Sequence, residues 1–176
     1  ILELVHTNDL ETNRDNYMQI IIAKTAVLIS AACGCGAIVS GSDARKEASL
    51  ARFGRSVGIA FQLVDDLLDY SSSSEALGKN VGDDLAEGKP TLPLIHAMQH
   101  ADETGRELLG EAIRSGGLDK INEVIAIIES TGSLAYTSQR ASAEAELAKQ
   151  ALSIVPDSVY KDAMMTLADF SVQRLY

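Results

Sequence analysis

Gln62, Asp65, Asp66 and Asp69 punctuate the apolar run FQLVDDLLDY at intervals of one to four residues. At 3.6 residues per turn they fall within an arc of about 100°, while Leu63, Val64, Leu67 and Leu68 take the opposite side. Only an α-helix segregates the two sets, so this stretch is held to one conformation with an acidic face and a core face. No Lys or Arg occurs between Arg55 and Lys79, and like charges three or four positions apart destabilise a helix. The carboxylates therefore call for compensation from outside the segment.

A divalent cation answers that need. Carboxylate oxygens without His or Cys suit hard metals, and Mg²⁺ favours one or two carboxylates together with water and phosphate. The donor set thus points to a phosphorylated ligand. Lys79 and Lys89 offer it countercharge from a segment containing Gly78, Gly82 and Gly88 and closed by Pro90 and Pro93, which reads as a loop beside the helix end. The competing reading is a solvated acidic face, with Lys79 and Lys89 paired to Asp83, Asp84 or Glu87.

With 176 residues, 46% of them apolar, the chain can bury one substantial core, and no linker, repeat or low-complexity tract divides it. The apolar spacing favours the helical period throughout, which predicts an all-α protein. A net charge of −10 argues against nucleic acid as a partner, since phosphate backbones attract clustered Lys and Arg. Cys33 and Cys35 offer neither four metal ligands nor a disulfide framework and read as small, reduced core residues, which fits a cytoplasmic location. The apolar run from Ile20 to Val39 is broken by Lys24 and rich in small residues, so it reads as a buried central helix rather than a membrane span. Lys24 then requires a partner or an opening to solvent. The start, Ile-Leu-Glu-Leu-Val-His, has neither an initiator Met nor a signal-peptide pattern and reads as mid-protein.

Helices are expected from about Asn13 to Val39, ending at Gly41, and from Ala44 to Asp69, with Ser42 or Asp43 as cap. Others follow from Thr91 or Leu92, from Asp102 to Ser115, and from Leu118 to Ser130 with Ile121, Val124, Ile125 and Ile128 as a core stripe. Ser133 is expected to cap a helix reaching Ile154, and Pro156-Asp157 to open a last one with a stripe of Val159, Ala163, Leu167 and Phe170. His96 and His100 have ligand spacing but no acidic neighbour, so metal binding there is disfavoured.

FQLVDDLLD followed by LGKNVGDDLAEGKPTLPLIHAM resembles the second aspartate-rich region of the trans-polyprenyl diphosphate synthases, most closely the bacterial octaprenyl diphosphate synthase group. Lys24-Thr25-Ala26 sits where that family carries a Lys-Thr pair, and Gly132-Ser133-Leu134 and Val172-Gln173-Arg174 continue the likeness. It implies an isoprenoid synthase-type helical bundle, with residues 1–176 as the C-terminal part of a single domain. The family's first aspartate-rich motif and its isopentenyl diphosphate site belong further upstream.

The implied reaction joins an allylic polyprenyl diphosphate to isopentenyl diphosphate, giving a long-chain, octaprenyl product for quinone side chains. By the same resemblance Asp65 binds Mg²⁺ directly, and Asp66 and Asp69 act through water or hydrogen bonds. Lys24 and Lys79 hold the allylic diphosphate. Lys89 either neighbours the same phosphate or pairs with Asp83. Thr25 and Gln62 turn their oxygens toward the carbocation, and Phe61 lines the pocket. No protein base is implied, because the released diphosphate takes the proton. A homodimer is expected, and the isolated chain is expected to be inactive. The alternative is a non-catalytic subunit of a heteromeric synthase.

Overall fold

A computed structural model describes residues 2–71 and 81–173, which form helices and, among the described residues, no strand. In order these are α1 (Leu2–Val5), α2 (Arg14–Ile21), a π-helical turn (Ile22–Ala26), α3 (Val27–Val39), α4 (Ala44–Leu68), α5 (Asp83–Ala86), α6 (Leu92–His100), α7 (Glu103–Ser115), α8 (Ile121–Ser130), α9 (Ser133–Ala151) and α10 (Val159–Gln173).

Local chemistry sets most of the boundaries. The Asn13 side-chain oxygen accepts the N–H groups of Asp15 and Asn16 at 2.9 and 3.0 Å and so caps α2. At the far end of this helical run Gly41 takes φ +71°, its N–H donates to Ile38 O, and that of Ser42 donates to Ala37 O. This is the paired closure that a left-handed residue permits. Asp43, rather than Ser42, caps α4, accepting the Lys46 N–H at 2.9 Å. Asp102 does the same for α7 through Gly105.

Two sequence expectations about caps change. Ser133 is fully buried and bonds sideways to His96 and Thr131, while Gly132 O takes the Tyr136 N–H. The last helix is opened by Ser158, whose oxygens accept the Lys161 and Asp162 N–H groups.

The chain divides into two compact units, Ile1–Ile20 with Asp65–Ser138, and Ile21–Val64 with Gln139–Tyr176. It passes between them within α2, α4 and α9. The first unit contains a cluster in which Leu94 of α6, Leu109 and Ile113 of α7, and Val124 and Ile128 of α8 are buried beside Tyr70 and Leu85. Val124 and Ile128 thus vindicate the stripe expected on α8. In the second unit Phe53 and Val57 of α4 pack with Ala148, Leu152 and Ala168.

Glycines set the closest approach in the second unit. A Cβ on Gly54 would lie 2.6 Å from Ile29 O, and one on Gly58 would lie 2.6 Å from Ala26 Cα. Two glycines one turn apart therefore let α4 lie directly on the backbone of α3 and the π turn. Large aliphatic side chains of α3 point elsewhere: Leu28 and Val39 are exposed, as are Val27 and Ile38. The expected buried central helix is thus buried at its start, through Ile20 and Ile21, and further on chiefly along its small-residue side, through Ala26, Gly34 and Ala37. Arg14–Val39 is long and apolar enough to cross a membrane by length and composition.

The stripe expected on α10 also faces outward. Val159, Leu167 and Phe170 are exposed, and Ala168 and Ser171 are buried instead. Cys33 is half-buried against α4, but Cys35 is exposed, so only one of the two cysteines has a core environment.

Because backbone atoms cannot give way, Gly58→Ala should cost about 1–3 kcal/mol of overpacking in urea denaturation. Gly36→Ala is the control: no atom lies within 4 Å of its added methyl, and it should be neutral or stabilising. Equal effects of the two substitutions would reject the close-packing argument.

Candidate metal and phosphate site

The acidic edge of α4 is buried rather than solvated. Asp66 and Asp69 are 3% and 6% exposed, and Asp65 is half-buried. Charges removed from water need donors, and two sets of them come from distant parts of the sequence. The Tyr17 hydroxyl, from α2, donates to Asp66 Oδ2 at 2.6 Å. The Asp83 and Asp84 N–H groups donate to Asp69 Oδ1 and Oδ2, both at 3.1 Å.

Asp69 is therefore a clamp. Its backbone oxygen also takes the Gly82 N–H at 2.9 Å, where Gly82 adopts φ +85° to turn the chain into α5. One residue holds three successive N–H groups and ties the segment after the loop to the end of α4. Burial, followed by the charges of Asp84 and Asp83, pushes the Asp69 carboxyl up to about 7, although the two backbone donors pull it down. Burial and the neighbouring carboxylates keep the Tyr17 phenol protonated, well above its ordinary range.

Lys89 is 24% exposed in its side chain and pairs with Glu87 and, at 3.8 Å, with Asp84. Of the partners the sequence offered, Asp83, Asp84 or Glu87, Lys89 takes Asp84 and Glu87, and its N–H also docks on Asp84 O, which brings those two residues together. Gly88, at φ +68°, lies close against Asn8, whose N–H donates to Gly88 O at 2.8 Å. The return of the loop is thus fixed at both ends. Lys79 lies outside the described residues, as does Arg174.

In the other unit, Lys24 and Thr25 occupy the π turn, where the Val27 N–H reaches back to Ile22 O. A π turn rotates side chains off the regular helical register and frequently marks functional positions. Lys24 is exposed. The Thr25 hydroxyl donates to Gln62 Oε1 at 2.9 Å. Gln62 follows Gly54 and Gly58 at four-residue intervals on α4, so the glycine contact with Ala26 seats Thr25 beside it. Phe61 is 41% exposed.

All the donors on the α4 edge are oxygens, which suits a hard cation. Among the described residues no three His, Cys, Asp or Glu side chains converge to hold a metal ion by themselves. A cation bound at Asp65 would complete its coordination with water and phosphate oxygens, which is the habit of Mg²⁺. His96 and His100 form no such centre. Their rings stack at 4.0 Å, His96 Nδ1 bonds Ser133 Oγ and His100 Nδ1 bonds His96 O.

Tyr17 escaped the sequence reading. The available signal was an aromatic hydroxyl at the start of a helix with an apolar continuation, since a buried phenol requires a partner. Nothing in the sequence says that the partner lies 49 residues away.

A model of the polyprenyl synthetase family matches residues 1–130. The chain is 50% identical over 177 aligned residues to octaprenyl diphosphate synthase of Haemophilus influenzae, covering 100% of this chain and 54% of that protein. With the enzyme of the same name from Escherichia coli it shares 45% identity over 175 residues, covering 99% and 54%. Among solved structures, a decaprenyl diphosphate synthase from Rhodobacter capsulatus superposes with a TM-score of 0.93 at 37% identity, covering 99% of this chain and 55% of that one. A polyprenyl synthase from Caulobacter crescentus, complexed with calcium and isoprenyl diphosphate, gives 0.92 at 39% identity, covering 98% and 53%. The chain spans about half the length of the curated relatives it matches.

Removing the Asp69 clamp by Asp69→Ala should cost about 2 kcal/mol in chemical denaturation, since backbone N–H groups lose their acceptor. An unchanged midpoint would show that the bonds to Asp83 and Asp84 add nothing. A second expectation concerns His96, which burial and then His100 pull below its ordinary 6.5. The folded state binds that proton less tightly than the unfolded chain, so stability present above pH 6.5 should be lost as pH falls through it. Between pH 7.5 and about 5.5 this loss is opposed by the raised Asp69 carboxyl, which gains stability on taking a proton, so the thermal midpoint of wild type should fall relative to that of His96→Gln across the window. Identical pH profiles would assign it to other groups.

Proposed function

We propose that this chain, which belongs to the polyprenyl synthetase family, is the part of a trans-polyprenyl diphosphate synthase that binds and ionises the allylic diphosphate. The observation that carries the reading is the α4 edge, where Asp65 stays half-buried and accessible while Asp66 and Asp69 are held by a phenol and two backbone amides. A half-buried carboxylate beside two ordered ones presents hard oxygen donors along one helix edge, which suits a divalent cation.

The reaction cleaves the allylic carbon–oxygen bond with its electron pair leaving on the diphosphate. The double bond of isopentenyl diphosphate attacks the resulting cation, and a proton is then lost. Ionisation is limited by the charge developing on the leaving group, so catalysis is electrostatic. Bound Mg²⁺, held by Asp65 with Asp66 and Asp69 in support, supplies Lewis-acid neutralisation of that charge.

The chain's own residues do the rest. Lys24 and Lys79 place ammonium groups against the diphosphate, and Lys89, anchored to Asp84 and Glu87, reinforces the field from the loop. The Thr25 hydroxyl donates a hydrogen bond to Gln62, which leaves the lone pairs of the Thr25 oxygen available to an adjacent carbocation. A neutral oxygen stabilises such a cation without capturing it as a carboxylate would. Phe61 contributes apolar surface to the pocket.

The identities to octaprenyl diphosphate synthases support a long, octaprenyl product, destined for quinone side chains. A cytoplasmic homodimer is the expected setting. The calcium and isoprenyl diphosphate in the Caulobacter crescentus structure support the pairing of a divalent cation with a prenyl diphosphate ligand. Residues 1–176 alone should lack synthase activity, because the resemblance puts the isopentenyl diphosphate site upstream.

Asp65→Ala in the intact enzyme should abolish Mg²⁺-dependent binding of an allylic diphosphate, read by calorimetry. Undiminished affinity would reject Asp65 as the metal's anchor.

A further inference from the structure

We propose that Tyr17 is a positioning residue for the diphosphate site, acting through Asp66. The inference rests on the reading of the α4 edge given above. Tyr17 is 3% exposed, and its hydroxyl meets Asp66 Oδ2 at 2.6 Å, within the range of a charge-assisted O–H···O⁻ bond. A neutral phenol donates one hydrogen bond, and here it fixes the plane of the Asp66 carboxyl group.

The identity of the acceptor distinguishes this bond from an ordinary buried tyrosine contact. A tyrosine needed only for packing can satisfy its hydroxyl on a backbone carbonyl. Tyr17 instead spends its proton on a carboxylate that sits between Asp65 and Asp69 on the acidic edge. Asp69 is set by the Asp83 and Asp84 amides, so Tyr17 performs for the middle acid what those amides perform for the last. Without the hydroxyl, Asp66 loses a strong donor in a buried setting crowded by Asp65, Asp69 and Asp84. Its carboxylate would then turn, and the oxygens it sets beside Asp65 for a cation would no longer be held in place.

Tyr17→Phe tests this, since it keeps the ring and removes only the hydroxyl. In the intact enzyme the Mg²⁺ concentration for half-maximal velocity and the KM for the allylic diphosphate should each rise about ten-fold, equivalent to about 1.4 kcal/mol. The KM for isopentenyl diphosphate should stay unchanged. Independently of turnover, Mg²⁺-dependent binding of inorganic pyrophosphate in calorimetry should weaken to the same degree. A variant with a lowered thermal midpoint but unchanged Mg²⁺ requirement and pyrophosphate affinity would overturn the proposal and leave Tyr17 a structural tie.

If Tyr17→Phe does not fold, Asp66→Asn keeps an acceptor for the phenol while removing the charge. It should show the same weakening, and its absence would equally overturn the proposal. Failure of the wild-type enzyme to carry out Mg²⁺-dependent prenyl transfer would instead defeat the functional reading. The pyrophosphate titration would then still decide the role of Tyr17.

Discussion

Negative charge held out of water has to be met by donors, and the end of α4 is arranged around that requirement. Asp66 and Asp69 are nearly fully buried in a stretch without a single cation from Arg55 to Lys79. Among the donors that reach them are neutral ones: a phenol from α2 and the amides that open α5. Neutral donors stabilise carboxylates without cancelling their charge.

The same donors organise the chain. Because Asp69 grips Gly82, Asp83 and Asp84, the loop must re-enter beside the helix it left. That re-entry carries Lys89 to Asp84 and Glu87, and the Asn8 contact at Gly88 fixes the exit. Structure and chemistry share one set of bonds here, and the raised Asp69 carboxyl reflects how much negative charge has been concentrated in a small volume.

In the second unit the governing constraint is steric. Gly54 and Gly58 remove the side chains that would separate α4 from the helix before it, and the π turn lies in that contact through Ala26. The extra residue in the turn displaces Lys24 and Thr25 from simple helical register, and Thr25 then finds Gln62.

Helix positions, the Gly41 stop, a cap at Ser42 or Asp43 and the grouping of Gln62, Asp65, Asp66 and Asp69 were legible in the sequence, because each depends on neighbours within about a turn. Direction of facing was legible only where one side of a helix is apolar. On α8 the stripe through Val124 and Ile128 was read correctly, but α3 and α10 are apolar on more than one side, and their large residues Leu28, Val39, Val159 and Phe170 face out. Periodicity says that a stripe exists, and packing decides which stripe is covered. The burial of the acids, their Tyr17 and amide donors and the bond from Thr25 to Gln62 belong to the tertiary structure alone. Each joins residues that no local rule connects, and only chain closure brings a donor to a charge that would otherwise remain in water.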